Sequence, residues 1–399
     1  MRNYNRAAVW EVVRARSPIS LSDLALQVPL SRVTLSSITR EMVQVGLLTR
    51  CGVASSSGGR PSALFCYLPS ARFAVGVTMF DRQITAVLTD LEGIPVRVLQ
   101  APWNESNPES LLAAMTDAVQ NLTADIPRRR VLGVGVGLPG IIDVPSGRVL
   151  LCVSMGWFGR PIEARKILEN ALGLPVHVAN RSRIAALGEL RAGVGKGSKS
   201  LLYMFIGRGV ILGIAFEDGI YTGATSTAGE IGHSTFDPNG PLCRCGNHGC
   251  LELYTSENAL LANAIARARV DTTSQLREIA QGNLQALTLD ALIRCARRGD
   301  PASLAAFEEV GNHLGIALAA ALNMFNPEIL VIGGPVGCRS GGLLLDPTRR
   351  EIERRTLAMT LSAVKIVSGE QDQEIAAIGA ANLALDALTI DQLFDSTEA

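Results

Sequence analysis

Three cysteines and two histidines crowd into one short stretch, Gly229 to Glu252, with the sequence GEIGHSTFDPNGPLCRCGNHGCLE. His233, Cys243, Cys245 and Cys250 make the donor set of a tetrahedral zinc site, three thiolates and an imidazole. Four protein ligands leave no open coordination position, so the expected Zn2+ is structural rather than catalytic. Glu230 and Glu252 flank the donors without being obvious ligands. They read as carboxylates held at the two ends of a stiffened binding loop. The blander role for Glu230 is to pair with His233 behind the metal. His248 falls off the ligand spacing and reads as a loop residue. Cys51, Cys66, Cys152, Cys295 and Cys338 read as ordinary small residues in apolar or mixed surroundings.

The chain that must position this stretch has 399 residues, enough for two or three domains. Its net charge is zero, so overall charge identifies no partner. The distribution is more informative. Residues 1–70 carry eight arginines and three acids, and the remainder carries the compensating negative excess. A basic segment on a mildly acidic body suits a DNA-binding module joined to a sensor. Clustered cysteines with metal spacing favour a reducing compartment over a disulfide scaffold. No stretch approaches 18 uninterrupted apolar residues and no secretion signal is legible, so no membrane association and a cytoplasmic location are expected.

Within residues 1–70 the pattern predicts three helices and a hairpin. The first spans Tyr4 to Arg16, the second follows a cap at Ser20, and the third begins near Ser31 and ends at Gly46. The third helix is expected to bury Val33, Leu35, Ile38, Met42 and Val45, with Thr39 on the polar side. This is the plan of a winged helix-turn-helix. Ser31, Arg32, Thr34, Ser36, Ser37 and Arg40 would then reach bases and phosphates in the major groove of a double-stranded DNA operator. Arg60, in Gly-Gly-Arg-Pro at the hairpin tip, suits the narrow minor groove. The bland alternative is a trihelical interaction domain with a solvated polar face; the positive charge favours DNA.

From Phe73 onward strands dominate, then alternate with helices. FAVGVTMF and ITAVLTDLEGIPV are strands, and a helix follows over 108–122. VLGVGVGLPG is a buried strand; Trp157 to Leu172 holds a helix; LPVHVAN is a strand ending at Asn180; and Arg183 to Ala192 is a helix. LLYMFIGRGVILGIAFEDGIY is a strand pair. Helices are expected over Ser256–Ala296 with interruptions, from Asp300 to Met324, and from Ile375 to Leu388, around the strands ILVIGGPV and Val364–Ser368. The tail from Thr389 reads as acidic and mobile.

LALQVPLSRVTLSSITREMVQVGLL followed by SSSGGRPS resembles the N-terminal region of regulators of the ROK (repressor/ORF/kinase) family. Gly229-Glu230-Ile231-Gly232-His233 and Cys243-Arg244-Cys245-Gly246-Asn247-His248-Gly249-Cys250-Leu251-Glu252 are similar to that family's zinc motif at every defining position. The resemblance covers nearly the whole chain. It implies an α/β, actin-like (RNase H-like) two-lobed sugar-kinase fold behind the winged helix-turn-helix. The expected units are residues 1–70, a first lobe over 71–183, and a second lobe over 184–399 with the zinc loop 229–252, whose C-terminal helix either completes that lobe or crosses back to the first. It also implies that Asn180, Glu230, His233 and Glu252 contact sugar hydroxyls. Asn180 has a second role open to it, capping the helix that follows.

This chain departs from the kinase branch of the family in three places. The first phosphate loop, Asp-x-Gly-Gly-Thr in kinases, corresponds to Thr78-Met79-Phe80-Asp81-Arg82. The second keeps Gly207, Gly209 and Gly213 but not its threonine. The general-base aspartate that follows the sugar-binding asparagine is replaced by Arg181, which cannot accept a proton. The expectation is therefore a DNA-binding transcriptional regulator of carbohydrate genes, with a degenerate kinase cleft that senses a sugar or sugar phosphate. Arg181 offers that ligand's anionic group a cation, or else pairs with an acid such as Glu189. The alternatives are a sugar kinase with an added DNA-binding domain, and a regulator controlled by a sugar-transport protein. The resemblance and the palindromic logic of helix-turn-helix operators imply a homodimer or homotetramer.

Overall fold

A computed structural model describes residues 1–53, 62–105, 107–152, 155–369 and 372–395. The N-terminal head comprises helix α1 (Arg2–Arg16), strand β1 (Ile19–Ser20), helices α2 (Leu21–Gln27) and α3 (Arg32–Gln44), and strands β2 (Leu48–Val53) and β3 (Ala63–Tyr67). Ser20 and Ser31 cap α2 and α3, each accepting a backbone N–H three residues on at 3.1 Å. β3 pairs with both β2 and β1, so the hairpin is one side of a three-stranded sheet. Val9, Trp10, Leu24, Leu35, Ile38 and Met42 fill the core beneath it.

Three expectations for the head need correction. Val33 is 81% exposed rather than buried. Thr39 is buried, its hydroxyl donating to the carbonyl of Leu35 at 2.8 Å. Intrahelical bonding of this kind lets threonine sit on an apolar face. Cys51 and Cys66 are not independent small residues but form a disulfide across β2 and β3. Sequence spacing alone did not show that these two strands align them. The tip residues, including Arg60, lie outside the described residues.

The first lobe contains β4 (Phe73–Phe80), β5 (Gln83–Asp90), β6 (Pro95–Pro102), α4 (Pro108–Thr123), β7 (Val131–Leu138), the small hairpin β8 (Ile141–Asp143) and β9 (Arg148–Leu151), α5 (Ala164–Leu172) and β10 (Val176–Asn180). Its five-stranded sheet has the order β10-β7-β4-β5-β6. α5 starts later than the pattern suggested: Trp157 instead bridges to Cys152, and Gly159 and Pro161 interrupt the approach. Helix α6 (Arg181–Arg191) starts directly at the end of β10 and leads into the second lobe.

That lobe carries β11 (Ser200–Ile206), β12 (Val210–Phe216), β13 (Gly219–Ile220), helices α7 (Glu252–Thr255), α8 (Glu257–Val270), α9 (Gln275–Ile279), α10 (Leu289–Arg297) and α11 (Pro301–Phe325), β14 (Ile329–Gly333), helices α12 (Gly334–Ser340), α13 (Gly342–Arg355) and α14 (Ala358–Ala363), and β15 (Lys365–Ser368). The second five-stranded sheet has the order β13-β12-β11-β14-β15. Two such sheets joined by a central helix constitute the actin-like fold.

Helix α15 (Asp372–Asp386) returns from the second lobe and lies on the sheet of the first. Glycines make this contact possible. A Cβ at Gly76 would stand 1.8 Å from the carbonyl oxygen of Ala377, and one at Gly135 would stand 1.7 Å from that of Ala380. Against α6, a Cβ at Gly379 would stand 1.9 Å from the carbonyl oxygen of Ile184. Backbone therefore presses on backbone over residues 375–381 of the helix. The chain then forms α16 (Ile390–Phe394), which corrects the mobile tail expected from Thr389. Gln392 accepts from the Thr389 backbone N–H at 2.8 Å, and Leu393 and Phe394 are buried against the head. The Arg6 guanidinium lies 4.5 Å from the Phe394 ring centre, and Asn3 donates to Asp391 at 2.6 Å. Short apolar anchors at the end of a polar tail carry little periodicity, and their packing partners are almost the whole chain away.

Gly135→Ala should lower stability by about 2 kcal/mol or more, since the added methyl has no space short of moving α15. Thermal unfolding measures this; an unchanged midpoint would show that α15 does not press on the sheet as described.

Candidate functional site

The site is built where β10 ends, α6 begins and the cysteine loop folds over them. Asn180 is the pivot. Its Oδ1 accepts from the backbone N–H groups of Ser182 and Arg183 at 2.9 and 3.2 Å, and its Nδ2 donates to the carbonyl of Gly140 at 2.8 Å. Asn180 is thus the N-cap of α6, and buried. Two arginines, Arg181 and Arg183, occupy the first turn that it caps, where the helix dipole disfavours positive charge. Each must be compensated from outside the helix, and that unfavourable placement is itself a sequence signal.

Arg183 is compensated by the cysteine loop. Its guanidinium donates to Glu230 Oε1 at 2.6 Å and to the backbone carbonyl of Ser226. The Arg183 side chain is 4% exposed and that of Glu230 is 26% exposed. Burial pushes the Glu230 carboxyl above its ordinary range, opposed by the positive charges of Arg183 and His233. Burial likewise lowers Arg183, opposed by Glu230. Arg183 is the site residue that the sequence analysis missed.

Arg181 is compensated by aromatic rings. Its guanidinium carbon lies 4.3 Å from the ring centre of Phe80 and 4.8 Å from that of Phe205, and the residue is 8% exposed. Its expected contact with a ligand anion thus competes with a sandwich between two rings. Glu189, the alternative partner, accepts from the backbone N–H of Val194 at 3.0 Å. Phe80 comes from the end of β4 and Phe205 from β11, so the sandwich joins the two lobes. Asp81 and Arg82, at the other phosphate-loop positions, both have positive φ and form the tight turn into β5. Thr78 donates to the carbonyl of Gly137 at 3.0 Å.

The loop itself brings together the four expected donors. The ligand atoms of His233, Cys243, Cys245 and Cys250 all lie within 4.8 Å of one another. Cys245 and Cys250 sulfurs are 3.5 Å apart, and Cys243 Sγ is 3.8 Å from His233 Nδ1. A tetrahedral ion bound to sulfur at about 2.3 Å would hold its ligands roughly 3.8 Å apart, so the residues present fit a metal. Nδ1 thus faces the thiols. Asn247 braces the cluster, its Nδ2 lying 2.9 Å from Thr235 Oγ1, 3.3 Å from the carbonyl of His233 and 3.4 Å from Cys250 Sγ. Gly249, with φ of 59°, passes so close to Asp237 that a Cβ would stand 1.6 Å from its carbonyl oxygen. His248 lies apart, its Nδ1 3.3 Å from the carbonyl oxygen of Gly240.

Glu252 begins α7 directly after the loop. Its Oε2 accepts from the backbone N–H of Val210 at 3.1 Å, at the end of the Gly207–Gly209 turn. It therefore holds the turn that stands where kinases have their second phosphate loop. Its charge also raises Glu230, so the two carboxylates share one neighbourhood. Nearby, Gly333 and Gly334 serve packing: Gly334 N–H donates to the Tyr203 hydroxyl at 3.1 Å, and a Cβ at Gly334 would stand 2.6 Å from the backbone of Ile206.

The head presents a separate surface. Arg32, Val33, Ser37 and Arg40 are exposed on one side of α3, Thr34 and Ser36 are half-buried beside them, and Ser31 is engaged in the cap. Glu41, the acid of this helix, is neutralised by Arg2 and Arg6 of α1.

Comparison with known proteins accords with this geometry. The chain is 30% identical over 379 residues to the xylose repressor of Caldicellulosiruptor bescii, covering 94% of each chain. Its fold superposes with a TM-score of 0.81 on a ROK family transcriptional regulator homologous to the E. coli MLC protein, at 24% identity and covering 98% of this chain and 99% of that one. A ROK family glucokinase from Streptomyces griseus, solved with glucose and AMPPNP, superposes with a TM-score of 0.68 at 28% identity, covering 78% of this chain and 98% of the kinase. The family profile described as ROK matches residues 74–387, and the chain belongs to the ROK family.

Proposed function

We propose that this protein is a sugar-responsive transcriptional repressor that binds operator DNA through α3 and senses its ligand at the Glu230–Glu252 cleft. The observation that carries this reading is the pairing of an intact head with a filled kinase centre. Phe80 and Arg181, which replace a phosphate-loop residue and the proton acceptor, stack on each other. A guanidinium there accepts no proton and a phenyl ring occupies space that a phosphate loop needs. The similarity to the glucokinase keeps a second reading in view, a kinase with an added head; it requires a base that Arg181 does not supply.

On this reading the metal is structural Zn2+, whose four protein ligands fix the loop while Glu230, His233 and Glu252 accept or donate hydrogen bonds to sugar hydroxyls. Asn180 orients α6 and keeps its cap, so its contact with sugar is the weakest of the four expected ones. Two carboxylates facing the ligand, with Arg181 held between rings, favour a neutral sugar over a sugar phosphate. The name of the C. bescii relative makes a pentose the first to try. A contiguous series of packed elements supports coupling: Glu230 holds Arg183 on α6, α6 packs on α15, and α15 leads to α16 on the head. A ligand that changes the Glu230–Arg183 pair would bias this series, and two heads in a homodimer would change their spacing.

Footprinting on DNA upstream of the protein's own gene should show a protected site, with Arg32→Ala weakening binding by about 1–3 kcal/mol if that side chain reaches a base. Xylose, glucose, N-acetylglucosamine and glucose 6-phosphate should be compared by thermal shift; a preference for the phosphate would sink the neutral-sugar assignment. Steady ATP turnover with any of these sugars would overturn the regulator reading in favour of a kinase. Cys245→Ser should lose the bound zinc found by elemental analysis of wild-type protein and should unfold several degrees earlier. Glu230→Gln should abolish the sugar-induced shift while keeping zinc. Phe394→Ala should leave sugar binding unchanged and weaken sugar-driven release from DNA; unaltered release would show that α16 carries no coupling.

A further inference from the structure

The disulfide between Cys51 and Cys66 occupies an informative place in the hairpin of the head. Thr49 pairs with Cys66 and Arg50 with Phe65, after which the register slips and Gly52 pairs with Leu64. Cys51 is thus the extra residue of a β-bulge, the point where the ladder of hydrogen bonds is interrupted. A sulfur link there ties the two strands where the backbone does not. These strands belong to the same head as α3. Cys51 is exposed and Cys66 half-buried, so small thiols and disulfides reach the bond. Of the other six, Cys152 and Cys295 are buried, Cys243, Cys245 and Cys250 lie in the candidate metal cluster, and Cys338 is half-buried on α12 and not disulfide-bonded. Where thiol buffers keep most cysteines reduced, a disulfide that does form is usually transient or redox-sensing.

We infer that Cys51 and Cys66 form a reversible redox site that sets the stiffness of the wing hairpin and, through it, affinity for DNA. The inference rests on the proposed DNA binding by the head. The chemistry is thiol–disulfide exchange with a low-molecular-weight disulfide. The Cys51 thiolate attacks one sulfur of that disulfide, displacing one thiol and leaving a mixed disulfide. The Cys66 thiolate then attacks Cys51 Sγ, forms the Cys51–Cys66 bond and displaces the second thiol. Two protein thiols are oxidised and one small disulfide is reduced to two thiols, so protons and electrons balance. The oxidised hairpin meets DNA with its strands already fixed relative to each other, while the reduced hairpin must order on binding. Oxidation therefore tightens binding.

The test uses full-length, zinc-loaded protein equilibrated with reduced or oxidised glutathione, with zinc content recorded so that damage to the metal thiols is not mistaken for the effect. Fluorescence anisotropy measures affinity for the DNA fragment protected in the footprint, and alkylation with peptide mass spectrometry reports which cysteines are linked. The oxidised protein should bind about threefold to tenfold tighter than the reduced one. Cys51→Ser and Cys66→Ser should each bind like the reduced protein under both conditions. Affinities within about twofold of each other in the two states, with the linkage verified, overturn the inference. Failure of oxidised glutathione to link Cys51 to Cys66 overturns it as well. Absence of DNA binding in both states overturns the regulator reading itself, and this inference with it.

Discussion

The ion pair between Arg183 and Glu230 is the contact on which the rest of the arrangement depends. Arg183 is buried in the first turn of α6, against the helix dipole, and only a fixed anion makes that position tenable. Glu230 supplies it, from a loop in which His233, Cys243, Cys245 and Cys250 lie close enough together to hold one metal ion. The pair therefore ties the cysteine loop to the helix between the lobes. Removing either partner leaves a charge in a place that solvates it poorly, which is far costlier than the loss of an exposed pair.

The same helix start also joins the two lobes. Arg181 lies against the rings of both Phe80 and Phe205. The three side chains form one packed unit that bridges the lobes. Glu252 braces another part of the second lobe. Its carboxylate holds the Gly207–Gly209 turn through the backbone of Val210 while lying close enough to Glu230 to raise it. Support of the turn and the electrostatics of Glu230 therefore meet in this one carboxylate.

The C-terminus unites the body with the head. α15 crosses the first sheet by backbone contact at glycines, and α16 closes the head's core with Leu393 and Phe394. The head is held to the body by apolar burial, a cation–π contact and the Asn3–Asp391 hydrogen bond.

Much of this was determined by the sequence alone. The spacing of His233, Cys243, Cys245 and Cys250 marks a cluster able to hold a metal ion, because soft ligands at that spacing have few other uses. The strand and helix order identifies two lobes because apolar periodicity follows from local geometry. The three departures from the kinase pattern are legible because each changes the chemistry a position can perform. Tertiary structure alone decided what those residues face. That Arg183 rather than Arg181 meets Glu230, that Phe80 stacks on Arg181, that Val33 is exposed, that Cys51 meets Cys66, and that the tail from Thr389 closes the head all depend on contacts between distant segments. Periodicity and motif spacing encode the conformation of a segment and the chemistry of its side chains. They carry no term for the neighbour that another part of the chain brings across the gap, and that neighbour decides whether a charge is free, paired or stacked.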